Sequence, residues 1–440
     1  MKRIANIPDK KDLKRIVIVG GGFAGHDFAK KINKKKYQVV LIDKVNYYQF
    51  QPLMYQVATA GLEPSSISYP HRKSFQKQPD FHFRTCEALK VNPSEHHVDT
   101  TIGEICYDYL VIATGCDTNY FGNDELKCST YALKNVSESL LMRNRILLSF
   151  EQATNTDQED ELERMLTFVI VGGGATGVEL SGALAEMKKT ILPKDYPDLD
   201  AGKMKIYLID SSPRLLNAMS ESASAATTKA LEKRGVIIRK AMVLSYEDDV
   251  VKMDNGEELH SQNVFWVAGV KPNSIGGLQE ESYMKGRLLV DEYNRVKGYD
   301  HIYCIGDTAL MITDAYPKGH PQVAQPALQM AANLAANLNR EIKGNIEWKR
   351  FDYKNKGSLA TIGRNSAVAD LGKFRFSGQL AWWLWLLIHI LSIIGMRNKF
   401  SVFIDWVWNY ITYDVSLRLL IFPKLSSIYK KDSKTTNNCN

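Results

Sequence analysis

Cysteine is scarce in this 440-residue sequence, and none of its six cysteines is spaced as a metal-binding or redox pair. No CxxC or CxxxxC motif joins them; they are Cys86, Cys106, Cys116, Cys128, Cys304 and Cys439. This spacing excludes a zinc module, a disulfide-stapled secreted domain and a disulfide reductase. We therefore predict no metal site and a reducing compartment.

The sequence also lacks an apolar leader, and its most apolar run is too short to cross a membrane. Residues 1–10 contain no hydrophobic stretch of the kind found in secretory signals. The run at 380–395 would extend about 24 Å as a helix, whereas the hydrocarbon core of a bilayer is ~30 Å thick. We expect a protein on the cytoplasmic side of a membrane that lies on the surface and has no proton-pumping span.

Positive charge is abundant at the carboxyl end. The net charge of the chain is +7, and residues 373–440 hold nine Lys or Arg against three Asp, which leaves +6 in that segment. The segment carries five of the seven tryptophans, Trp382, Trp383, Trp385, Trp406 and Trp408. Indole rings together with cations are typical of binding to anionic membrane surfaces. Because these tryptophans alternate with Leu and Ile rather than with basic residues, we predict a membrane partner and no nucleic acid.

Two glycine-rich turns give the strongest signal in the chain. Each follows a β-rich apolar run and precedes a helical one. The first holds Gly20, Gly21, Gly22, Phe23, Ala24 and Gly25, and the second holds Gly172, Gly174, Ala175 and Gly177. Such glycines allow a tight turn and let backbone N–H groups approach a pyrophosphate at a helix N-terminus. One match also occurs in plain strand-to-helix turns, but two in one chain predict two dinucleotides, a flavin beside a nicotinamide.

A carboxylate ends the strand after each loop, Asp43 in the first half and Asp210 in the second. It can accept hydrogen bonds from the hydroxyls of an adenosine ribose, with a turn or cap role as the alternative. Asp210 lies 38 residues after the first glycine of its loop, against 23 for Asp43, and we assign the excess to an insertion at 188–203. Since a carboxylate repels a 2′-phosphate, Asp210 favours NADH over NADPH, and Arg214 nearby weakens that preference.

The two halves repeat one plan of glycine loop, acidic strand end and a strand closed by a small-residue turn. The closing strands are predicted at 107–115 and 263–269, and a further strand at 301–307 is assigned back to the first half. This predicts an α/β protein with two Rossmann-like dinucleotide-binding domains, one inserted into the other, plus C-terminal amphipathic helices. The predicted boundaries are 1–125 and 299–373 for the FAD-binding domain, 126–298 for the NADH-binding domain and 374–440 for a membrane-anchoring region.

Five strings in the chain lie at 43–59, 177–182, 305–307, 324–329 and 356–363. The part at 50–58, the string at 324–329 and the Trp-rich end are specific in combination. Together with the Trp-rich end, the five strings resemble the type II NADH:quinone oxidoreductases, the single-subunit NADH dehydrogenases of respiratory membranes, over residues 15 to about 425. The resemblance implies an enzyme that passes a hydride from NADH to bound FAD and two electrons onward to a membrane quinone, without proton pumping.

The resemblance also implies the cofactor contacts. Those for FAD are the loop from Gly20 to Gly25, Asp43, Lys44, Gln51, Ala88, Thr114, Asp307, Ala324, Gln325 and Lys356. Those for NADH are Gly172, Gly174, Ala175, Gly177, Glu179, Asp210, Ala268 and Gly269. Lys356 would place positive charge near the flavin, with a solvated lysine as the alternative. Asp307 would accept a hydrogen bond from the ribityl chain, a role compatible with capping the apolar helix that starts nearby.

Three of these residues are predicted to act in catalysis: Glu179, Lys356 and Gln325. Glu179 is placed in the first turn of the helix after the second loop, where a carboxylate stabilises a helix by about 0.3–1 kcal/mol, whereas the resemblance places it beside the nicotinamide. Gln325 and Gln329 share one helical face and would donate to a quinone carbonyl, with ordinary surface glutamines as the alternative.

The segment 403–421 carries a polar stripe at Asp405, Asn409, Thr412 and Ser416, which predicts an interfacial amphipathic helix. A buried helical pair or a homodimer interface is the alternative. Two rival functions stay open at this point. A sulfide:quinone oxidoreductase would need redox cysteines beside the flavin, and a flavin-dependent membrane redox sensor would turn over slowly.

Overall fold

The computed structural model describes residues 5–342, 344, 347–414 and 417–421. Ser416 of the predicted polar stripe, the basic residues after 421 and Cys439 lie outside the described residues. The strands are β1 (Lys14–Val19), β2 (Tyr37–Asp43), β3 (Tyr47–Gln49), β4 (Ser68–Pro70), β5 (Phe81–Thr85), β6 (Ala88–Asn92), β7 (His97–Thr100), β8 (Gly103–Cys106), β9 (Tyr109–Ile112), β10 (Cys116–Thr118), β11 (Tyr131–Ala132), β12 (Thr167–Val171), β13 (Lys205–Asp210), β14 (Val236–Lys240), β15 (Val243–Glu247), β16 (Val250–Met253), β17 (Glu258–His260), β18 (Asn263–Trp266), β19 (Val270–Pro272), β20 (Tyr283–Met284), β21 (Arg287–Val290), β22 (Ile302–Cys304), β23 (Ala309–Met311), β24 (Ser358–Gly363), β25 (Ser366–Leu371) and β26 (Phe374–Gly378). The α-helices are α1 (Phe23–Lys31), α2 (Met54–Ala58), α3 (His71–Phe75), α4 (Asp124–Ser129), α5 (Val136–Ala153), α6 (Glu159–Leu166), α7 (Ala175–Thr190), α8 (Leu192–Asp195), α9 (Glu221–Glu232), α10 (Ala324–Glu341), α11 (Gln379–Ser392) and α12 (Met396–Thr412).

The chain folds into two compact units, each built from three segments. The first comprises Met1–Gln49, Tyr69–Asp117 and Val270–Asn355, and the second comprises Phe50–Ser68, Thr118–Gly269 and Lys356–Asn440. The units are cut at other positions than the predicted domains, because residues 50–68 and the C-terminal region group with the second unit. The domain boundaries predicted above stay a prediction.

The first unit is built around a parallel sheet with the strand order β22-β9-β1-β2-β5. β1 lies between β2 and β9, with Ile16 opposite Val39 and Tyr109. Its strands are continuous apolar runs, as expected for a parallel sheet covered on both faces, and side chains of α1 and α10 share its core. β22 pairs with β9, which confirms that the strand predicted at 301–307 returns to the first half.

The second unit repeats this arrangement with the order β11-β18-β12-β13-β14. β12, the strand before the second glycine loop, lies between β13 and β18, with Val169 opposite Tyr207 and Val264. The helix after the loop has 16 residues in α7 but 9 in α1. Part of the longer distance between the second loop and Asp210 is therefore explained by the greater length of α7. The insertion predicted at 188–203 overlaps the last turn of this helix and explains the rest.

The C-terminal part of the second unit is a three-stranded sheet, β24-β25-β26, followed by two helices. α11 packs on β25, and α12 begins after Gly395. The helix predicted at 403–421 is wrong in its bounds, because α12 starts at Met396 and ends at Thr412, where Tyr413 takes a left-handed conformation with φ 56°. Within the residues that the structure describes, no helix has both the length and the apolarity needed to cross a bilayer.

Candidate functional site

Both glycine loops join a central strand to a helix through a residue with positive φ. Gly20 has φ +100° and Gly172 has φ +119°, a region that glycine enters without steric cost. A Cβ atom at Gly20 would lie 2.4 Å from the carbonyl oxygen of Ala113, and one at Gly172 would lie 2.8 Å from the backbone nitrogen of Ala268. Each loop therefore packs against the turn that follows the neighbouring strand, where a side chain has no room.

Space lies open at the N-terminus of the helix after each loop. Gly22 is the N-cap of α1 and Gly174 is the N-cap of α7, and neither helix has a side-chain cap or an acidic residue in its first turn. A Cβ atom at either glycine would meet nothing within 4 Å. The first N–H groups of a helix have no intrahelical partner and carry partial positive charge, which attracts phosphate. The two loops therefore fit the pyrophosphates of two dinucleotides.

A carboxylate tethers each loop to its strand in the same way. Asp43 accepts a hydrogen bond from the Gly21 N–H at 2.5 Å and one from the Val45 N–H at 2.8 Å. Asp210 accepts one from the Gly173 N–H and one, at 2.6 Å, from the N–H two residues downstream. Burial raises the pKa of Asp43, and the bonds that it accepts act against this. Both carboxylates thus have the turn role considered above, and a carboxylate has further acceptor sites for ribose hydroxyls.

Arg214, the cation expected to weaken a preference for NADH, is engaged within its own loop. Its guanidinium donates to the carbonyl oxygen of Met219 at 2.8 Å and to that of Asn217 at 3.2 Å. A guanidinium held by two carbonyl groups is less available to a 2′-phosphate. Arg214 therefore opposes the expected preference for NADH less than its position in the sequence suggests, and that preference stays a prediction.

Three further residues predicted for FAD lie where elements of the first unit begin or end. The Thr114 hydroxyl, after β9, donates to the carbonyl oxygen of Asn273 at 2.6 Å and so fixes the turn against which the first loop packs. Lys44 is exposed and pairs with Glu87 at 2.7 Å, an ion pair of the weak surface kind. Ala88 is the first residue of β6.

Asp307 lies in a short 3₁₀ turn, Gly306–Thr308. Its predicted helix-capping role is wrong, because α10 begins only at Ala324 and has Val323 as its N-cap. Asp307 Oδ2 accepts a hydrogen bond from the Cys116 thiol at 2.8 Å. Cys116 therefore orients the carboxylate that is predicted to face the ribityl chain. No pattern in the sequence indicates this contact, since the two residues are 191 positions apart.

Ala324, Gln325 and Gln329 lie in the first part of α10. Gln325 is half-buried in the first turn of the helix, whose N-terminus has no side-chain cap. The Gln329 amide donates to the Lys354 carbonyl oxygen and accepts from the Lys354 N–H, both at 3.0 Å. One N–H and the oxygen of Gln329 are therefore used within the fold, and its second amide N–H is the donor that could meet a quinone carbonyl.

Two residues predicted for FAD belong to the second unit. Gln51 opens the 3₁₀ turn Gln51–Leu53 ahead of α2, and its amide donates to the carbonyl oxygen of Lys134 at 3.4 Å. Lys356 is exposed and precedes β24. Its exposure suits the solvated alternative as well as a cation that meets a bound cofactor.

Glu179 lies beyond the first turn of α7, so the predicted helix-terminal role is wrong. The helix begins at Ala175, and no acidic residue lies in its first turn. The carboxyl group is buried, with 8 % of the residue exposed, and Oε1 accepts a long hydrogen bond of 3.4 Å from the Thr361 N–H. Burial raises the pKa of Glu179 to about 8, against smaller lowering effects of Thr361 and of the Trp385 indole. A carboxyl group with such a pKa can hold and release a proton near neutral pH.

Two aromatic residues beside Glu179 escaped prediction. Trp385, counted above among the interfacial tryptophans, is 1 % exposed and stacks on His389 with ring centroids 3.9 Å apart. Tyr55 is also buried, and burial, then the Glu179 carboxylate, raise the pKa of its phenol. A Trp-rich segment looks the same in sequence whether its rings are buried or exposed, so no signal marked these contacts.

The C-terminal helices turn polar side chains inward. The Asn398 amide donates to the backbone carbonyl oxygens of Ser65 and Ser68 at 3.2 and 2.8 Å. The Trp406 indole donates to Gln56 Oε1 at 2.8 Å. These bonds fix α12 on residues 50–68, the segment that contains α2.

The opposite side of the same helices is apolar and exposed. The polar stripe predicted at Asp405, Asn409 and Thr412 is half-buried. The exposed apolar side chains, here called the apolar face, are Leu380, Trp383, Leu387, Ile388, Leu391, Met396, Phe400, Phe403, Ile404, Val407, Trp408 and Ile411. A contiguous exposed surface of this kind marks a membrane or protein interface.

The four free cysteines among the described residues form no disulfide of the kind that a sulfide:quinone oxidoreductase needs beside its flavin. Cys86, Cys106, Cys116 and Cys304 are free thiols. Cys304 is fully buried, and burial raises the pKa of its thiol. A buried thiol with a raised pKa is a poor nucleophile, so Cys304 does not supply the reactive sulfur that this rival requires.

One cluster of potential metal ligands lies apart from the loops. The ligand atoms of His97, Asp99 and Glu104 lie within 4.8 Å of one another on β7 and β8. The Asn92 amide lies 2.8 Å from both the His97 ring and the Asp99 carboxylate. Cysteine spacing says nothing about such a cluster, and the absence of a metal stays a prediction.

Comparisons with known proteins agree on one family. Residues 14–331 match the family model described as pyridine nucleotide-disulphide oxidoreductase, and residues 355–412 match the NDH2 C-terminal domain. The type II NADH:quinone oxidoreductase Ndh of Mycobacterium tuberculosis is 32% identical over 421 residues, which covers 90% of this chain and 88% of that protein. NdhA of the same organism is 32% identical over 410 residues, with 89% and 86% covered.

Solved structures share the fold. The structure of NDH2 from Plasmodium falciparum in complex with NADH matches with a TM-score of 0.85 at 22% identity, covering 93% of this chain and 100% of that one. The sulfide:quinone oxidoreductase of Aquifex aeolicus matches with a TM-score of 0.68 at 18% identity, covering 91% and 96%. At these identities the likeness concerns the fold alone.

Proposed function

This chain belongs to the type II NADH:quinone oxidoreductase family, and we propose that its two glycine loops divide the two dinucleotides, FAD at the first and NADH at the second. The enzyme is FAD-dependent and transfers electrons from NADH to quinone without proton pumping. The family, fold class, activity and cofactors predicted from the sequence are confirmed. The roles of individual residues are the proposal.

FAD, when bound, accepts a hydride from NADH and passes two electrons to the quinone. The loop from Gly20 to Gly25 would hold the pyrophosphate at the N-terminus of α1, with Asp43 accepting from the adenosine ribose. Asp307, oriented by the Cys116 thiol, would accept from the ribityl chain. These groups lie in one unit and use geometry that the fold already fixes, which supports their assignment to one cofactor.

The second loop would hold NADH in the same way. Gly172, Gly174, Ala175 and Gly177 would form the pyrophosphate site, and Ala268 and Gly269 would line the adjoining turn. Asp210 would accept from the ribose hydroxyls, and its negative charge together with the engaged Arg214 would disfavour NADPH. The two loops share a glycine with positive φ, a carboxylate that binds the loop backbone and an open helix N-terminus. This likeness supports the assignment of one dinucleotide to each loop.

Glu179, Lys356 and Gln325 would act on the reaction itself. Glu179 would sit beside the nicotinamide and hold a proton that the quinone takes up as it accepts electrons, a role suited to its pKa of about 8. Lys356 would supply positive charge to the flavin, and Gln325 and Gln329 would donate to a quinone carbonyl.

The observation that carries the proposal is the duplicated loop, with a positive-φ glycine, a tethering carboxylate and an open helix N-terminus in each copy. The test is to release the flavin from purified protein by denaturation, identify it, and measure NADH oxidation with and without a soluble quinone. We expect one FAD per chain and oxidation that depends on quinone. Recovery of FMN, or turnover too slow to exceed the rate without acceptor, would favour a redox sensor instead.

We also propose that the apolar face docks on the cytoplasmic leaflet of a membrane. Seven of its side chains recur on α12 at helical spacing, from Met396 to Ile411, and five on α11. Lys373, Arg375 and Arg397 are exposed in the same segment, and basic residues beside an apolar surface favour anionic lipid by about 1 kcal/mol each. A homodimer through this face is the alternative occupant.

The docking proposal is tested by Ile404→Glu, a residue 61% exposed on the apolar face, with Met242→Glu, 50% exposed elsewhere in the second unit, as the matched control. Deleting 374–440 is less informative, because it would also remove β26 and the buried Trp385. A buried aliphatic side chain is worth about 1.5–3 kcal/mol, so Ile404→Glu should weaken sedimentation with anionic vesicles about tenfold. Unchanged vesicle binding with loss of a dimer in Ile404→Glu would assign the face to the homodimer.

A further inference from the structure

Trp385 brings a hydrogen-bond donor from α11 to the buried carboxyl group of Glu179. Its Nε1–H has no hydrogen bond of regular geometry among the described residues. Burial raises the pKa of Glu179, and the Thr361 N–H and then the Trp385 indole lower it, so the indole lies close enough to act on the carboxylate. A buried indole N–H usually finds a partner, and leaving it without one costs free energy. Glu179 is buried as well, and its carboxylate is the acceptor on which this indole acts.

Trp385 is held in place by rings on several sides. It stacks on His389 at 3.9 Å, and the His389 Nδ1 atom lies 2.7 Å from the Trp385 carbonyl oxygen. The ring of Trp406 from α12 lies 5.8 Å away, and that of Tyr55 from α2 lies 6.5 Å away. The orientation of the indole therefore depends on both C-terminal helices.

A second set of hydrogen bonds fixes α12 on α2. An indole can only donate, so the 2.8 Å bond from Trp406 determines that Gln56 presents its amide oxygen to α12. The amide nitrogen of Gln56 is then turned to Tyr55 and donates to its hydroxyl oxygen at 2.8 Å. These two bonds fix the positions of Trp406 and Tyr55, the two residues whose rings lie beside Trp385 on α12 and α2.

We propose that Trp385 is a positioning residue for Glu179: through its indole N–H, the helix pair that carries the apolar face holds the Glu179 carboxyl group of α7 in one orientation. The inference rests on the proposed role of Glu179 in supplying a proton to the quinone. It gives the C-terminal helices a part in the chemistry that is separate from docking.

The titratable groups around Glu179 leave this role to Trp385. Tyr55 faces it from α2 and stays protonated, because burial and then the Glu179 carboxylate raise its pKa. His389, behind Trp385 on α11, is neutral at pH 7, because burial lowers its pKa to about 4. Burial also raises the pKa of Glu186, farther along α7, against bonds and charges that include Arg364. Within the described chain, the donors that act on Glu179 are the backbone of β24 and the Trp385 side chain.

The test is Trp385→Phe, which removes the N–H and keeps a ring to stack on His389. The protonation of Glu179 is followed by infrared difference spectroscopy across a pH titration, with its carboxylic acid band assigned by its loss in Glu179→Gln. We expect a wild-type midpoint of about 8 and an upward shift of about one unit in Trp385→Phe, because a donor to the charged form is lost. A midpoint that is unchanged or lower would overturn the proposal.

Two further variants make the result specific. Trp348→Phe removes an indole N–H that donates to Glu341 at 3.1 Å in the first unit, and it should leave the midpoint unchanged; an equal shift there would overturn the proposal. If Trp385→Phe does not fold, Trp406→Phe removes the hydrogen bond to Gln56 and leaves the Trp385 indole N–H in place. A titration midpoint of Glu179 that stays at the wild-type value in Trp406→Phe would then overturn the proposal. Quinone reduction by the wild type is measured in parallel. Absent turnover would count against the proposed function, whereas the shift of the Glu179 midpoint in Trp385→Phe tests the role of Trp385 by itself.

Discussion

The two halves of the molecule carry the same glycine loop, but the carboxylate on the helix after the loop has a different environment in each half. Asp27 on α1 and Glu179 on α7 occupy the same position, five residues after the N-cap glycine. Asp27 forms an ion pair with Lys31 one turn later on its own helix. Glu179 is buried, and no cationic side chain in the described residues is among the groups that shift its pKa. The loop alone therefore does not decide what the carboxylate does.

The difference arises from what covers each helix. α7 packs closely on β24, since a Cβ atom at Gly182 would lie 2.3 Å from the Ile362 carbonyl oxygen. This approach brings the Thr361 N–H to Glu179, and Trp385 closes the other side. The two loops are proposed to hold two dinucleotides, and burial under the C-terminal region raises the pKa of the Glu179 carboxylate.

The largest effect should follow from breaking the loops one at a time. Gly20→Ala and Gly172→Ala each force a side chain into positive φ, a strain of about 1–3 kcal/mol, and into contact with the neighbouring turn. Gly20→Ala should be purified with little or no flavin, whereas Gly172→Ala should retain its FAD and lose NADH binding. Flavin content by absorbance and NADH affinity by titration check the pair, and flavin loss in both variants would mean that the loops do not divide the cofactors.

Removing the buried carboxylate should impair quinone reduction. General acid–base groups contribute about 10²–10⁴-fold, so Glu179→Gln should lower quinone-dependent kcat by about 10²-fold. Oxidation of NADH by an artificial acceptor that needs no proton should change far less. Steady-state rates with both acceptors make the comparison, and equal losses with the two would contradict a role in proton supply.

The same variant should change the pH dependence of stability. The folded-state pKa of Glu179 is about 8, above its ordinary value of 4.5. Between these two pH values the folded protein keeps a proton on Glu179 that the unfolded chain has released. The free energy of unfolding of the wild type therefore falls as pH rises from 4.5 to about 8. Glu179→Gln has no such titration, so its free energy of unfolding relative to the wild type should rise from pH 5 to pH 8, by at most about 5 kcal/mol. Urea denaturation at several pH values measures the gain; a constant difference across the window would show that Glu179 does not titrate there.

The smallest effect should come from the matching position in the first half. Asp27→Asn removes a partly exposed ion pair, which is worth less than about 0.5 kcal/mol. Stability, flavin content and quinone reduction should stay near wild-type values. A large loss of quinone reduction here would remove the contrast between the two helices.

Sequence alone predicted the fold and the loops because both depend on local patterns. Positive φ at Gly20 and Gly172 and the carboxylates at Asp43 and Asp210 follow from short-range rules about turns and strand ends. Three expectations were wrong for a common reason, that each depended on the residue at which a helix begins or ends. Glu179 was placed at a helix terminus, Asp307 at a helix cap, and α12 was shifted along the chain.

The buried tryptophan shows the limit most clearly. Trp385 lies in a run of apolar and aromatic residues whose composition predicts an interfacial surface, and Trp383 and Trp408 in that region are indeed exposed. Trp385 is buried because the sheet and α12 pack around it, contacts that join residues far apart in the sequence. Periodicity identifies the helix, but which side of it faces the protein is decided by the partner surface.

Asp210→Ala tests most directly whether the second loop is the NADH site and the first the FAD site. The Asp210 carboxylate tethers its loop and is proposed to bind the ribose hydroxyls of NADH. Its removal should therefore weaken NADH binding about tenfold, the loss of one charge-assisted hydrogen bond. Discrimination against NADPH should fall as well, and FAD content should equal that of the wild type. Parallel loss of FAD and NADH in Asp210→Ala would contradict the division of the two loops.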